Sequence, residues 1–134
     1  MTSKVTYLGG LRTTCEHLKS GNSFFTDAPT DNNGKGEAFS PTDTVATALA
    51  SCMLTVMGIK AESLEGVNLE GSVALINKIM SANPRRITRI EIQLDLKGVA
   101  ADKDRKILEN TANTCPVHNS LHPDIKKDIH FNWF

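Results

Sequence analysis

Ile90, Ile92, Leu94 and Leu96 alternate with Glu91, Gln93, Asp95 and Lys97. That is the period of a strand with one face buried and the other wet. Ile129, Phe131 and Trp133 repeat the alternation near the end of the chain. Residues 66–80 read as a long strand, with Val67, Leu69, Val73, Leu75 and Ile79 on one face, and Asn83-Pro84 turns the chain behind it. Residues 1–28 read as short strands. Val5, Tyr7 and Leu11 are their apolar positions, Gly9-Gly10 marks a bend or bulge, and Ser20-Gly21-Asn22 is a hairpin turn before a strand over 23–26. Residues 27–39, DAPTDNNGKGEAF, hold one Pro and two Gly among polar residues and form a long loop, a kind of segment that is often functional.

The helical period begins at Ser40-Pro41-Thr42-Asp43. Ser40 is a good N-cap, Pro41 suits the first helical position, and Asp43 stands where the acid of a capping box belongs. The helix is expected to run to about residue 63, with Val45, Ala48, Leu49, Cys52, Val56 and Ile59 at helical spacing. From Thr44 to Ile59 it carries no charge, so it is expected to be buried on most sides as the central helix, packed on a sheet and against a copy of itself. Residues 101–113 form an acid-first amphipathic helix with Ile107, Leu108 and Ala112 inward, and Cys115-Pro116 starts a short helical turn. The order βββ–α–ββ–α–β predicts one α+β domain over residues 1–134 with mainly antiparallel pairing.

Charge narrows the function. Fifteen basic and fifteen acidic residues cancel, which argues against nucleic acid and against an acidic membrane surface as partners. No uninterrupted apolar run approaches the ~20 residues of a membrane span. The start, MTSKVTYLGG, has no apolar signal core, and a cytoplasmic location is expected. Three cysteines do not make a disulfide scaffold.

The cysteines nevertheless carry the candidate chemistry. Cys52, mid-helix, reads either as a small buried hydrophobe or as a reactive thiol. Cys115 precedes Pro116 at a helix start, where free N–H groups lower a thiol pKa, or where it caps the turn and nothing more. Cys15 lies in an N-terminal strand and reads as structural or incidental. His118 follows Cys115 by three residues and His122 by seven, but the other half of a metal site is missing, so no metal is expected. Nor is GKGE a phosphate loop, because it lacks the flanking strand and helix.

The segments SPTDTVATALASC (residues 40–52) and CPVHNSL (residues 115–121) together resemble the two cysteine motifs of the OsmC/Ohr family, the osmotically induced protein C and organic hydroperoxide resistance proteins. Element order and length fit over essentially the whole chain. The strings TDAP, GKGEAFSPTD, KIM and PRRI resemble one less characterised subgroup. The resemblance implies an OsmC-like fold, with sheets packed on a long central helix in an intertwined homodimer. It implies a thiol peroxidase that needs no metal or organic cofactor.

In that reading Cys52 is the peroxidatic thiol and Cys115 the resolving one. Arg12, in GGLR, is the arginine that serves Cys52, and Asp43 stands where the family often has Glu in an arginine–carboxylate clamp. Nine residues of helix, about 13 Å of rise, separate Asp43 from Cys52, so Asp43 is expected to act across an interface or through Arg12. An organic hydroperoxide is the implied substrate, with Phe39, Leu49 and Met53 as apolar surroundings, and a small dithiol or lipoyl-type molecule is the implied reductant. The rival reading is a dimeric binding or stress-associated protein that keeps the fold with little peroxidase activity.

Overall fold

Arg12 faces Asp27 and Glu16 faces Ser23 across a hairpin that turns at residues 18–22. This pairing joins β2 (Arg12–His17) to β3 (Ser23–Asp27), and β1 (Ser3–Gly9) pairs with β2 on its other side. The three form an antiparallel sheet in the order β1-β2-β3. In the computed structural model, which describes residues 1–134, the chain divides into two compact units, Met1–Val45 and Ala46–Phe134.

In the first unit the long loop folds back on itself after β3 through a 3₁₀ turn at Thr30–Asn32. The Gly34 N–H donates to the Pro29 carbonyl at 2.9 Å and the Gly36 N–H to the Ala28 carbonyl at 3.2 Å. Gly34 is required there, because a Cβ would stand 1.7 Å from the Ala28 carbonyl oxygen. The close approach returns residue 37 to the end of β3. Helix α1 (Pro41–Ala61) then starts as its sequence demands. The Asp43 N–H donates to Ser40 Oγ at 3.1 Å, and the Ser40 N–H donates to the Asp43 carboxylate at 2.9 Å, a reciprocal capping box.

The second unit is built on the body of α1. Ala46, Leu49, Ala50, Met53, Met57 and Ala61 form its buried stripe. The sheet of this unit has the order β4-β5-β6, from β4 (Val73–Ser81), β5 (Arg86–Leu96) and β6 (Lys126–Trp133). On β5, Ile90, Ile92, Leu94 and Leu96 are fully buried, as their alternation predicts. Burying each such side chain contributes roughly 1.5–3 kcal/mol. Leu108 and Ala112 of α2 (Asp102–Ala112) and Cys115, just before α3 (Pro116–Ser120), join the same core.

Three expectations need correction, and the mainly antiparallel pairing holds with one exception. Residues 66–72 are not strand: Gly66 and Gly71 adopt positive φ and the segment turns, so β4 begins only at Val73. Strand β6 runs parallel to β5, the one parallel pairing among antiparallel ones. The α2–α3 crossover makes it possible, since parallel neighbours need a long connection. Helix α1 buries one stripe within the chain rather than most sides, and leaves Val45 and Ile59 exposed. By length and mean hydropathy α1 would also suffice to cross a membrane, against the sequence expectation, but its stripe is the core of the second unit.

Candidate functional site

Two clusters hold the predicted site residues, one in each unit. In the second unit, Cys52 is half-buried on α1, and Cys115 is fully buried as the N-cap of α3. The Cys115 sulfur accepts the His118 N–H at 3.3 Å. Position alone predicts a lowered pKa for this thiol, yet it is raised. Burial is the largest cause and outweighs the His118 N–H, and Cys52 pushes in the same direction by hydrogen bonding and charge. The fold therefore brings together two free thiols that are sixty-three positions apart in sequence. Cys115 is held in its neutral form. The His118 imidazole is half-buried, with its pKa lowered by burial and by Lys127.

The first unit holds Arg12. Its Nε donates to Asp27 Oδ1 at 2.7 Å and its Nη2 to Asp27 Oδ2 at 2.8 Å, a bidentate fork. Nη2 also reaches Glu37 at 3.3 Å, and the guanidinium lies 5.8 Å from the centre of the Phe25 ring. Asp27 is only 2% exposed, and its Oδ2 also accepts the Glu37 N–H at 3.1 Å. The hydrogen bond from Arg12 holds the Asp27 carboxyl below the usual carboxylate range, and Asp27 in turn raises Arg12. Asp43, expected in the clamp, lies in the capping box, while the carboxylates on Arg12 are Asp27 and Glu37. The sequence reading passed over both. The register of the β2–β3 hairpin was the signal for Asp27, and the close-packed glycine loop carries Glu37. Cys15, on β2, has its sulfur 3.9 Å from Thr13 Oγ1.

Residues 34–130 match the model of the OsmC-like protein family. Among solved structures, a protein of Psychrobacter arcticus 273-4, provisionally named for osmotic stress induction and detoxification response, is 52% identical. The match covers 98% of this chain and 96% of that one, with a TM-score of 0.94. An OsmC-like protein of Mycoplasma pneumoniae is 14% identical, with coverage of 98% and 94% and a TM-score of 0.80. An organic hydroperoxide resistance protein OsmC of Legionella pneumophila is 17% identical, with coverage of 98% and 97% and a TM-score of 0.71. The two distant likenesses establish the fold. No functionally curated protein matches the chain.

Proposed function

Because the chain belongs to the OsmC-like family, we propose that it is a thiol peroxidase that reduces organic hydroperoxides with Cys52 and Cys115. The juxtaposition of these two free thiols carries the reading. The name of the Legionella protein, an organic hydroperoxide resistance protein, supports the substrate class. In the proposed cycle the Cys52 thiolate attacks the terminal oxygen of the hydroperoxide. The O–O electrons leave with the alkoxide, which takes a proton and departs as an alcohol, and Cys52 becomes a sulfenic acid. The Cys115 thiol then condenses with it, releasing water and forming the Cys52–Cys115 disulfide. A small dithiol or lipoyl-type reductant exchanges with that disulfide and restores both thiols. A neutral, buried Cys115 keeps a rival thiolate out of the first step; in the second its sulfur attacks the sulfenic sulfur and its proton leaves with the hydroxide as water. Arg12 is proposed as the cation that serves the Cys52 thiolate and the peroxide oxygens. A reducing cytoplasm is the compartment proposed.

The assembly proposed is a homodimer. Supporting it are the exposed apolar side chains Val5, Tyr7 and Phe24 on the first sheet and Val45 and Ile59 on α1, more apolar surface than an isolated small sheet leaves to water.

Stopped-flow mixing with cumene hydroperoxide, followed by peptide mapping, tests the function. One equivalent should consume both thiols and yield an intrachain Cys52–Cys115 disulfide, with Cys15 left free. In Cys115→Ser, Cys52 should stop at sulfenic acid and over-oxidise with excess peroxide. Slow, unselective oxidation, or Cys15 in the disulfide, would replace this reading with that of a binding protein.

A further inference from the structure

Resting on the peroxidase reading, we propose that the dithiol reductant attacks Cys52 and not Cys115, so that Cys52 carries the mixed disulfide and Cys115 is the leaving thiol. Thiol–disulfide exchange is a displacement in line: the thiolate approaches one sulfur along the S–S axis, and the rate depends on which sulfur it can reach. The two sulfurs differ in that respect. Cys115 is wholly buried, in the core that holds Leu108 and Ala112, and its sulfur accepts the His118 N–H at 3.3 Å. A thiol in solution has no line of approach to it, and a bond to Cys52 covers it further. Cys52 is half-buried, at the margin of the buried stripe of α1. Leu49 and Met53 beside it are fully buried, whereas its other helix neighbours Ala48, Ser51 and Thr55 are exposed. The opening that admits a hydroperoxide to Cys52 in the first half of the cycle admits a thiol in the second.

Leaving-group acidity pulls the other way. The more acidic thiol leaves faster, and burial holds the Cys115 pKa up. That preference is graded, about threefold for each pKa unit on a Brønsted slope of roughly one-half, whereas burial closes the approach altogether. Access therefore decides. In the exchange the reductant thiolate bonds to Cys52 Sγ, and the Cys52–Cys115 bond breaks with its electron pair on Cys115. The His118 N–H, already on that sulfur, meets the charge as it forms. Cys115 then takes a proton and returns to its neutral form. The second thiol of the reductant, as thiolate, attacks the reductant's own sulfur in the mixed disulfide. A cyclic disulfide leaves, and Cys52 is released as thiolate. Both electrons come from the dithiol, and the buried thiol is restored without contact with a molecule in solution.

The test traps the mixed disulfide. Wild type is oxidised with one equivalent of cumene hydroperoxide and pulsed with 2-mercaptoethanol, which has no second thiol to finish the exchange. Iodoacetamide then quenches it for peptide mapping. The mercaptoethanol adduct should sit on Cys52 and the alkyl group on Cys115, in at least about tenfold excess over the reverse pattern. A smaller excess, or the reverse pattern, overturns the proposal. If Cys115 recloses the bond before any adduct is caught, methyl methanethiosulfonate decides, applied to unoxidised Cys115→Ser and Cys52→Ser with each thiol followed by mapping. The Cys52 thiol should react at least about tenfold faster than the Cys115 thiol, and a smaller ratio overturns the proposal. An oxidised wild type with no Cys52–Cys115 disulfide instead removes the peroxidase reading, and the proposal with it.

Discussion

The two units of the chain are built on opposite principles. Every fully buried apolar side chain, from Ala46 to Cys115, lies in the second unit. The buried side chains of the first are Thr26, Asp27 and Ser40, all polar. Each has its partner: Thr26 the Thr13 hydroxyl, Asp27 the Arg12 fork, Ser40 the capping box. Buried polar groups cost free energy unless they are satisfied, and a fully satisfied network specifies one geometry. The second unit is therefore a conventional hydrophobic core that places two thiols. The first is a polar frame that orients a cation, and it turns its apolar side chains, Val5 and Phe24 among them, outward.

The contrast is broken most forcefully by a core deletion. Leu94→Ala, at a fully buried position, should lower the unfolding free energy by about 2–5 kcal/mol in urea denaturation. A loss that small surface trimming could match would mean that β5 is not the centre of the core. Next comes the outward apolar face of the first unit. Val5→Glu should leave Leu94 and its neighbours packed but convert a dimer to a ~15 kDa species at micromolar concentration, and should make wild-type thermal stability alone depend on concentration. Light scattering that shows wild type and variant alike would detach this face from assembly.

Smaller is the effect of the cap of α1. Ser40→Ala removes the acceptor for the Asp43 N–H and should cost about 1 kcal/mol, with Cys52–Cys115 disulfide formation unchanged. The smallest effect is in pH, where direction decides. Burial holds the His118 pKa down, so the unfolded chain takes up this proton first. Its contribution to stability is complete above the ordinary histidine value and declines as pH falls below it. Cys115 is the mirror case: its raised pKa keeps its contribution complete below the ordinary thiol value, and that contribution declines as pH rises above it. Denaturation midpoints across pH should show both slopes, and His118→Gln should remove the acid one only.

What could be read along the chain was local. Alternation located β5 and the buried faces of Ile90 to Leu96, and Ser40, Pro41 and Asp43 marked the start of α1 to the residue. Two cysteine motifs in the right order pointed to the family. These succeed because period and capping depend on neighbours within a turn or two. The strand drawn over residues 66–72 failed for the complementary reason: Val67 and Leu69 alternate, but Gly66 and Gly71 take positive φ, and apolar spacing does not report backbone sign.

Partners distant in sequence were decided by the tertiary structure. Asp27 stands opposite Arg12 because the β2–β3 register puts it there, so that Asp43 caps a helix where the resemblance had it in a clamp. Cys115 meets Cys52 because the α2–α3 crossover that returns β6 parallel to β5 buries the start of α3. That burial reverses the pKa shift its helix position alone implies. Desolvation is set by everything packed around a group, whereas a helix terminus is set by the group's own few residues, and here the packing is the larger of the two.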